Sequence, residues 1–277
     1  MNYRHAFHAG SAADVFKHAV LTLLLLALRA KDRPFAVLDT HAGLGRYDLT
    51  AAEARKTGEF RRGIARLLAA PAPPAPVEPY LDIVRAANDG GPDLAVYPGS
   101  PAITQALLRP DDRLMLVDLH PAAVAALRAA FRGDRRVSIH RRAGYEALAA
   151  LLPPVPRRGL VVVDPPFEVA DEFARMVAGV VAAARRWPTG LYALWYPIKL
   201  RGAIDGFHGE LAMTGLRRQL VVELTARGGP PGLIGSGMVL VNPPWRLADR
   251  LAELLPALGA ILYGEGAACR VDWLVGE

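Results

Sequence analysis

The stretch Leu160 to Glu168, LVVVDPPFE, limits the fold of this chain more than any other. Four apolar residues in a row, three of them valine, read as a strand buried on both faces and too short for a free-standing helix. Asp164 ends it. Pro165 and Pro166 cannot extend a ladder, because each lacks an N–H and has φ fixed at about −65°. A carboxylate, a stiff pair and the ring of Phe167 therefore follow the carboxyl end of a buried parallel strand. That is the edge at which open α/β sheets bind ligands.

An Asp-Pro-Pro turn that merely stops a strand is the plainer reading. The sharper one is methylation of an exocyclic amine on a planar base, whose nitrogen is a poor nucleophile because its lone pair is delocalised. A carboxylate accepting one amino hydrogen and a backbone carbonyl accepting the other localise that pair, and an aromatic ring holds the base in line. Asp164, the Pro165 carbonyl and Phe167 are the candidates for these three tasks.

The 277 residues, 52% of them hydrophobic, suffice for one large domain. A single cysteine, Cys269, excludes a disulfide framework and a cysteine metal site. The longest apolar run, Val20 to Leu28, is too short to span a bilayer, and MNYRHAFHAG lacks the apolar core of a signal peptide. A soluble cytoplasmic protein is expected. The net charge of +6 favours a polyanionic partner. His5 and His8 have no accompanying carboxylate or thiol pattern, so no metal is expected.

Ser11 to Leu28 reads as a helix capped by Ser11, after an aromatic-rich arm expected to be disordered or to lie on the surface. Phe35 to Asp39 is the first strand, and THAGLGR follows it. An acidic strand end followed by G-x-G lets bare N–H groups meet polar ligand atoms, and Gly43 is the first of these glycines. The next strand, Leu114 to Asp118, comes about seventy residues later. Ser100 as N-cap and Pro101 at the first helical position start a helix to Leu108. Asp118 then falls near the spacing of a ribose-binding acid, roughly twenty residues on. Residues 49–97 are accordingly expected to be an inserted helical subdomain within a domain made of 1–48 and 98–277. They carry Arg55, Lys56, Arg61 and Arg62, which are either a solvated face or a contact for nucleic acid.

Beyond Asp118 the pattern continues with a helix from Pro121, a strand Val137 to His140, the turn Ala143-Gly144 and a helix to Leu152. After the Asp164 motif come a helix over 171–186, strands Gly190 to Tyr196, Gln219 to Thr225 and Gly237 to Val241, and a helix Trp245 to Leu255 stopped by Pro256. This is an α/β chain with a seven-stranded, mostly parallel sheet. Asn242-Pro243-Pro244-Trp245 repeats the pattern of the Asp164 motif. It ends the seventh, antiparallel strand, so it faces away from the ligand edge and reads as a structural stop with a packed Trp245.

YRHAFHAGSAADVFKH, LDTHAGLGRY, YPGSP, the run into DPPFE and the run into NPPW together resemble the RlmJ family across essentially the whole chain. These are bacterial methyltransferases acting on N6 of an adenosine in 23S ribosomal RNA. The resemblance implies a Rossmann-like class I fold with a helical insertion, S-adenosylmethionine as donor, a monomer, and a substrate of ribosomal RNA. By position, Lys17, His18, His41, Ser100, Asp118, Gly144 and Asp164 resemble cofactor-contacting residues, and Tyr3 an arm residue that closes over the base. Three residues depart from the family. Ala143 stands where an aspartate is common, leaving a backbone contact; Phe167 replaces tyrosine; Asp118 replaces glutamate. Guanine-N2 methylation and a non-catalytic RNA-binding protein stay open. The incomplete glycine fingerprint speaks against a nicotinamide enzyme.

Overall fold

The computed structural model describes residues 4–91, 93–226 and 233–276. Helix α1 (Ala12–Arg29) begins where Ser11, in extended backbone, accepts the Asp14 N–H at 3.4 Å. Thirteen of its 18 residues are buried, which makes it a core helix rather than a surface one. Strand β1 (Ala36–Asp39) follows it. A small antiparallel ribbon pairs β2 (Arg46–Asp48) with β3 (Val96–Pro98). Between its strands lie α2 (Ala52–Thr57), α3 (Glu59–Arg62), α4 (Ile64–Leu68) and α5 (Glu78–Ala86). Ile64, Leu67, Tyr80 and Val84 of these helices are buried in the same apolar cluster as α1.

Strand and helix then alternate through α6 (Ser100–Leu107), β4 (Arg113–Asp118), α7 (Pro121–Ala130), β5 (Val137–Arg141), α8 (Gly144–Leu151), β6 (Gly159–Val163), α9 (Glu172–Arg186), β7 (Leu191–Ile198) and α10 (Arg201–Ala212). The chain closes with β8 (Gln219–Ala226), β9 (Gly235–Val241), α11 (Leu247–Tyr263) and β10 (Ala267–Val275).

The main sheet runs β10-β8-β9-β7-β6-β1-β4-β5. The five strands from β7 to β5 are mutually parallel, and β9, β8 and β10 are antiparallel to their neighbours. Side chains alternate across the sheet. Leu160 and Val162 of β6 join the layer of α1 and α11, while Val161 and Val163 join that of α8 and α9. The crossovers diverge on either side of β1, so Asp39, Asp118 and Asp164 all end on the carboxyl edge at the switch point.

Three expectations change. The sheet has eight strands, not seven, because Ala267–Val275 returns along β8 as an edge strand. Its residues are only partly buried, so its hydrophobic signal is weak. Pro256 lies inside α11 rather than ending it. Leu258 and Leu262 continue the buried stripe beyond it, and their burial, at about 1.5–3 kcal/mol each, offsets the roughly 3 kcal/mol cost of an internal proline. Ser100 is not a cap: Gly99 takes that position, and the Ser100 hydroxyl donates to Asp39 instead.

Candidate active site

Asp164 follows the last residue of β6 and is partly exposed. Its Oδ2 lies 2.6 Å from Lys17 Nζ, which also reaches Asp14 Oδ1 at 2.9 Å. Asp14 and Lys17 are three apart on α1 and so share a face. Burial opposes the charge on Lys17, but the two carboxylates outweigh it and hold the ammonium well above the ordinary lysine range. Asp14 is likewise held well below the usual carboxylate range. Burial works against its charge, and His5, Lys17 and the hydrogen bond from His5 overcome that. His5 Nε2 is 2.9 Å from Asp14 Oδ2, which also accepts the Gly10 N–H. A continuous polar chain thus joins the N-terminal arm, through Asp14 and Lys17, to Asp164.

Of the two expectations for the arm, the second holds from Arg4 on: it lies on the surface, exposed at Arg4 and half-buried from His5 to His8. His8 pairs with Glu59, and Thr57 donates to the Phe7 carbonyl, which docks the arm on α2 and α3. Arg55, Lys56, Arg61 and Arg62 are exposed on those two helices beside it. Tyr3 lies outside the described residues.

Phe167 has a left-handed φ of 51°, rare for an aromatic residue. The turn carries its ring against Phe173 at 5.0 Å and Trp195 at 5.9 Å, both edge-on. Lys17 Nζ sits 5.7 Å over the Trp195 ring, so the ion pair and the aromatic group are one assembly.

A second cluster surrounds the glycine turn. Asp118 accepts the Gly43 N–H at 3.0 Å and the His120 N–H at 2.8 Å. Gly43 has φ +60°, and a β-carbon there would fall 2.4 Å from the Tyr47 hydroxyl. Asp39 is buried, accepts from Ser100 Oγ at 2.7 Å and is pushed up to about 6 by that burial, with Asp164 adding to the rise. His41, its Nδ1 2.8 Å from Thr40 Oγ1, is lowered to about 4 by burial and stays neutral. Ala143 is the N-cap of α8, and Gly144 packs so closely on the turn after β1 that a β-carbon would meet the His41 ring at 2.6 Å. His41, Gly43, Ser100, Asp118, Ala143 and Gly144 therefore share one floor. His18 does not join it: one residue from Lys17, its ring turns about 100° around the helix and is buried against Tyr97 Oη at 2.6 Å.

These residues suit a cationic donor that carries a single nucleoside. The two glycines let Tyr47 and His41 pack tightly against the turn, Asp118 keeps lone pairs free for hydroxyl donors, and three strand-end carboxylates favour positive charge. Asp14, Asp39, His5 and Trp195 were missed as site residues. For Asp39 a signal existed, since an acid ends β1 just before G-x-G. Asp14, in the first turn of α1, carries no such signal. Among the described residues no group of three His, Cys, Asp or Glu side chains is placed to hold a metal ion, and no helix is long and apolar enough to cross a membrane.

Residues 32–275 match the family model described as ribosomal RNA large subunit methyltransferase D, RlmJ. The chain belongs to the RlmJ family. Relatives called ribosomal RNA large subunit methyltransferase J, from Escherichia coli and Haemophilus influenzae, are 42% and 41% identical, each over the full length of both chains. A solved protein of Legionella pneumophila superposes with a TM-score of 0.89 at 30% identity, covering 96% of this chain and 98% of its own. RlmJ-family membership makes the chain a methyltransferase of the ribosomal RNA class, and the Asp164 and glycine-turn clusters are where its chemistry is expected.

Proposed function

We propose that this chain transfers a methyl group from S-adenosylmethionine to N6 of an adenosine in 23S ribosomal RNA, as a cytoplasmic monomer. The observation that carries the reading is the Asp164 carboxylate, set at the switch-point edge by two prolines and anchored by a buried lysine. His41, Gly43, Ser100, Asp118, Ala143 and Gly144 would hold the donor, with Lys17 near by. His18 contributes through the core behind it. When bound, S-adenosylmethionine supplies an electrophilic methyl on a cationic sulfur.

The target adenine must leave its stack, at a cost of a few kcal/mol. Phe167 stacks on it, Asp164 accepts one N6 hydrogen and the Pro165 carbonyl accepts the other. Lys17 binds one oxygen of Asp164 and so fixes the direction in which the other faces. With one oxygen held by Lys17, the carboxylate offers the other to the amino group. Tyr3 closes over the base, and Arg55, Lys56, Arg61 and Arg62 in the 49–97 insertion contact the RNA backbone. The test is to incubate the enzyme and labelled donor with unmodified 23S RNA and identify the product nucleoside by mass spectrometry. N6-methyladenosine is expected. N2-methylguanosine, or no incorporation, overturns the assignment.

A further inference from the structure

We infer that the sheet edge opposite Asp164 is a second RNA-binding face. The inference rests on the reading of ribosomal RNA as substrate, but on a different part of the molecule. The starting points of β1, β4, β5, β6, β7 and β8 and the end of β9 all lie on this edge, because the first five strands are parallel and β9 and β8 alternate in direction. The flanking segments 29–35, 109–113, 131–136, 152–158, 185–190, 215–218 and 242–250 carry 16 of the chain's 33 Lys and Arg, against 5 of its 27 Asp and Glu. That is a balance of +11 in a chain whose total is +6, so the rest of the molecule is net acidic.

These segments touch along the edge. Arg158 donates to the carbonyls of Arg33 and Leu28, Arg109 to those of Lys31 and Arg33, and Arg218 to that of Pro243. The six strand spacings from β8 to β5 extend over roughly 29 Å, enough to follow several phosphates. Fifteen of the sixteen cations are arginine, whose planar guanidinium forks onto phosphate and stacks on bases.

Trp245 contradicts the expectation that it is packed. It is 88% exposed, next in sequence to Arg246 and in a segment whose Asn242 N–H meets the Arg218 carbonyl. The chain around it is strained at two residues: Arg218 and Arg246 take left-handed φ of 55° and 59°, costly for such side chains, while Asn242 at 57° is of a type that tolerates it. Asn242 secures this turn by donating to the carbonyls of Pro188 and Gly190. An exposed indole held by a strained turn beside arginines fits an unstacked base. Asp164 stands at the far end of the strands, roughly 17 Å of β6 away, so the nucleotide held here is not the one methylated.

The test compares wild type, a fourfold variant (Arg157→Glu, Arg185→Glu, Arg246→Glu, Arg250→Glu) and Trp245→Ala. Substrates are a full 23S transcript and the shortest fragment of it that wild type methylates. For the fourfold variant, KM for the transcript should rise at least about tenfold with kcat held, and the log–log salt slope of binding should shrink by about 2–4, since each duplex phosphate contact adds about 0.9. Trp245→Ala should weaken binding of the transcript about tenfold. The short fragment should be methylated as before by both. Should the fourfold variant fail to fold, the same four positions changed to Gln replace it. Unchanged KM and slope in folded variants overturn the inference, as does a loss confined to binding of ribosomal proteins or anionic vesicles. A wild type that methylates no 23S transcript refutes the substrate reading instead.

Discussion

Removing the Asp164 carboxylate separates its chemical task from its structural one. Lys17 Nζ is buried and has two anionic partners, Asp164 at 2.6 Å and Asp14 at 2.9 Å. Deleting one partner of a buried pair costs about 3–5 kcal/mol when nothing else compensates. Here Asp14 stays, and the Asp164 side chain is 18% exposed, so water can enter. The loss should approach that of one charge-assisted hydrogen bond, about 1.5–3 kcal/mol for Asp164→Ala. Asp164→Asn keeps an oxygen for Lys17 and should lose about 1 kcal/mol or less on the same scale. Both variants lose a preorganised anionic acceptor, worth about 10²–10³ in rate. The assay is single-turnover methylation of 23S RNA, with urea unfolding and calorimetric donor titration on the same preparations. Transfer by Asp164→Asn within threefold of wild type would refute the acceptor role. Equal stability of Asp164→Ala and wild type would show that the ion pair carries no net energy.

The buried His18, lowered to about 3 chiefly by burial, is neutral in the fold while the unfolded chain takes up a proton below about 6.5. Its share of stability is complete above that pH and is lost as pH falls toward 3. Between pH 7 and 4.5 wild type should lose about 2–3 kcal/mol more than His18→Gln in urea melts, and parallel losses would rule this out. Gly144→Ala drives a β-carbon into the His41 ring and the Thr40 carbonyl. It should cost about 1–3 kcal/mol of stability and weaken donor binding in a calorimetric titration. Arg61→Glu/Arg62→Glu, on exposed α3, should weaken RNA binding and flatten its salt dependence with donor affinity unchanged. Unaltered RNA binding would make that pair a solvated face.

Much of the sheet could be read along the chain because β1, β4 and β6 are short, apolar and end in acids that the glycine turn and prolines punctuate. Edge strand β10 was illegible for the opposite reason. Half-buried positions give a weak pattern, and the helix before it seemed to stop at Pro256. Within the site, one-dimensional spacing marked Asp164, Asp118 and Gly43. It could not mark the ion pair of Lys17 with Asp164, 147 positions apart, nor reveal that His18 faces the core. Those depend on how α1 is rotated in its bed. Trp245 misled because an aromatic after two prolines looks like core filler, and only tertiary context shows it standing in water.

Helix α1 is made first and completed last. It packs against α6, β9 and α11, and its apolar surface is nearly continuous around the cylinder. At ribosomal speeds of about 5–20 residues per second, β9 and α11 emerge roughly 10 to 50 seconds after it. Throughout that interval Val15, Phe16 and the leucines from Leu21 to Leu25 have no finished bed. The apolar face of this first helix is covered only when the late strands and helix arrive, and Lys17 reaches Asp164 only when more than half the protein has been built.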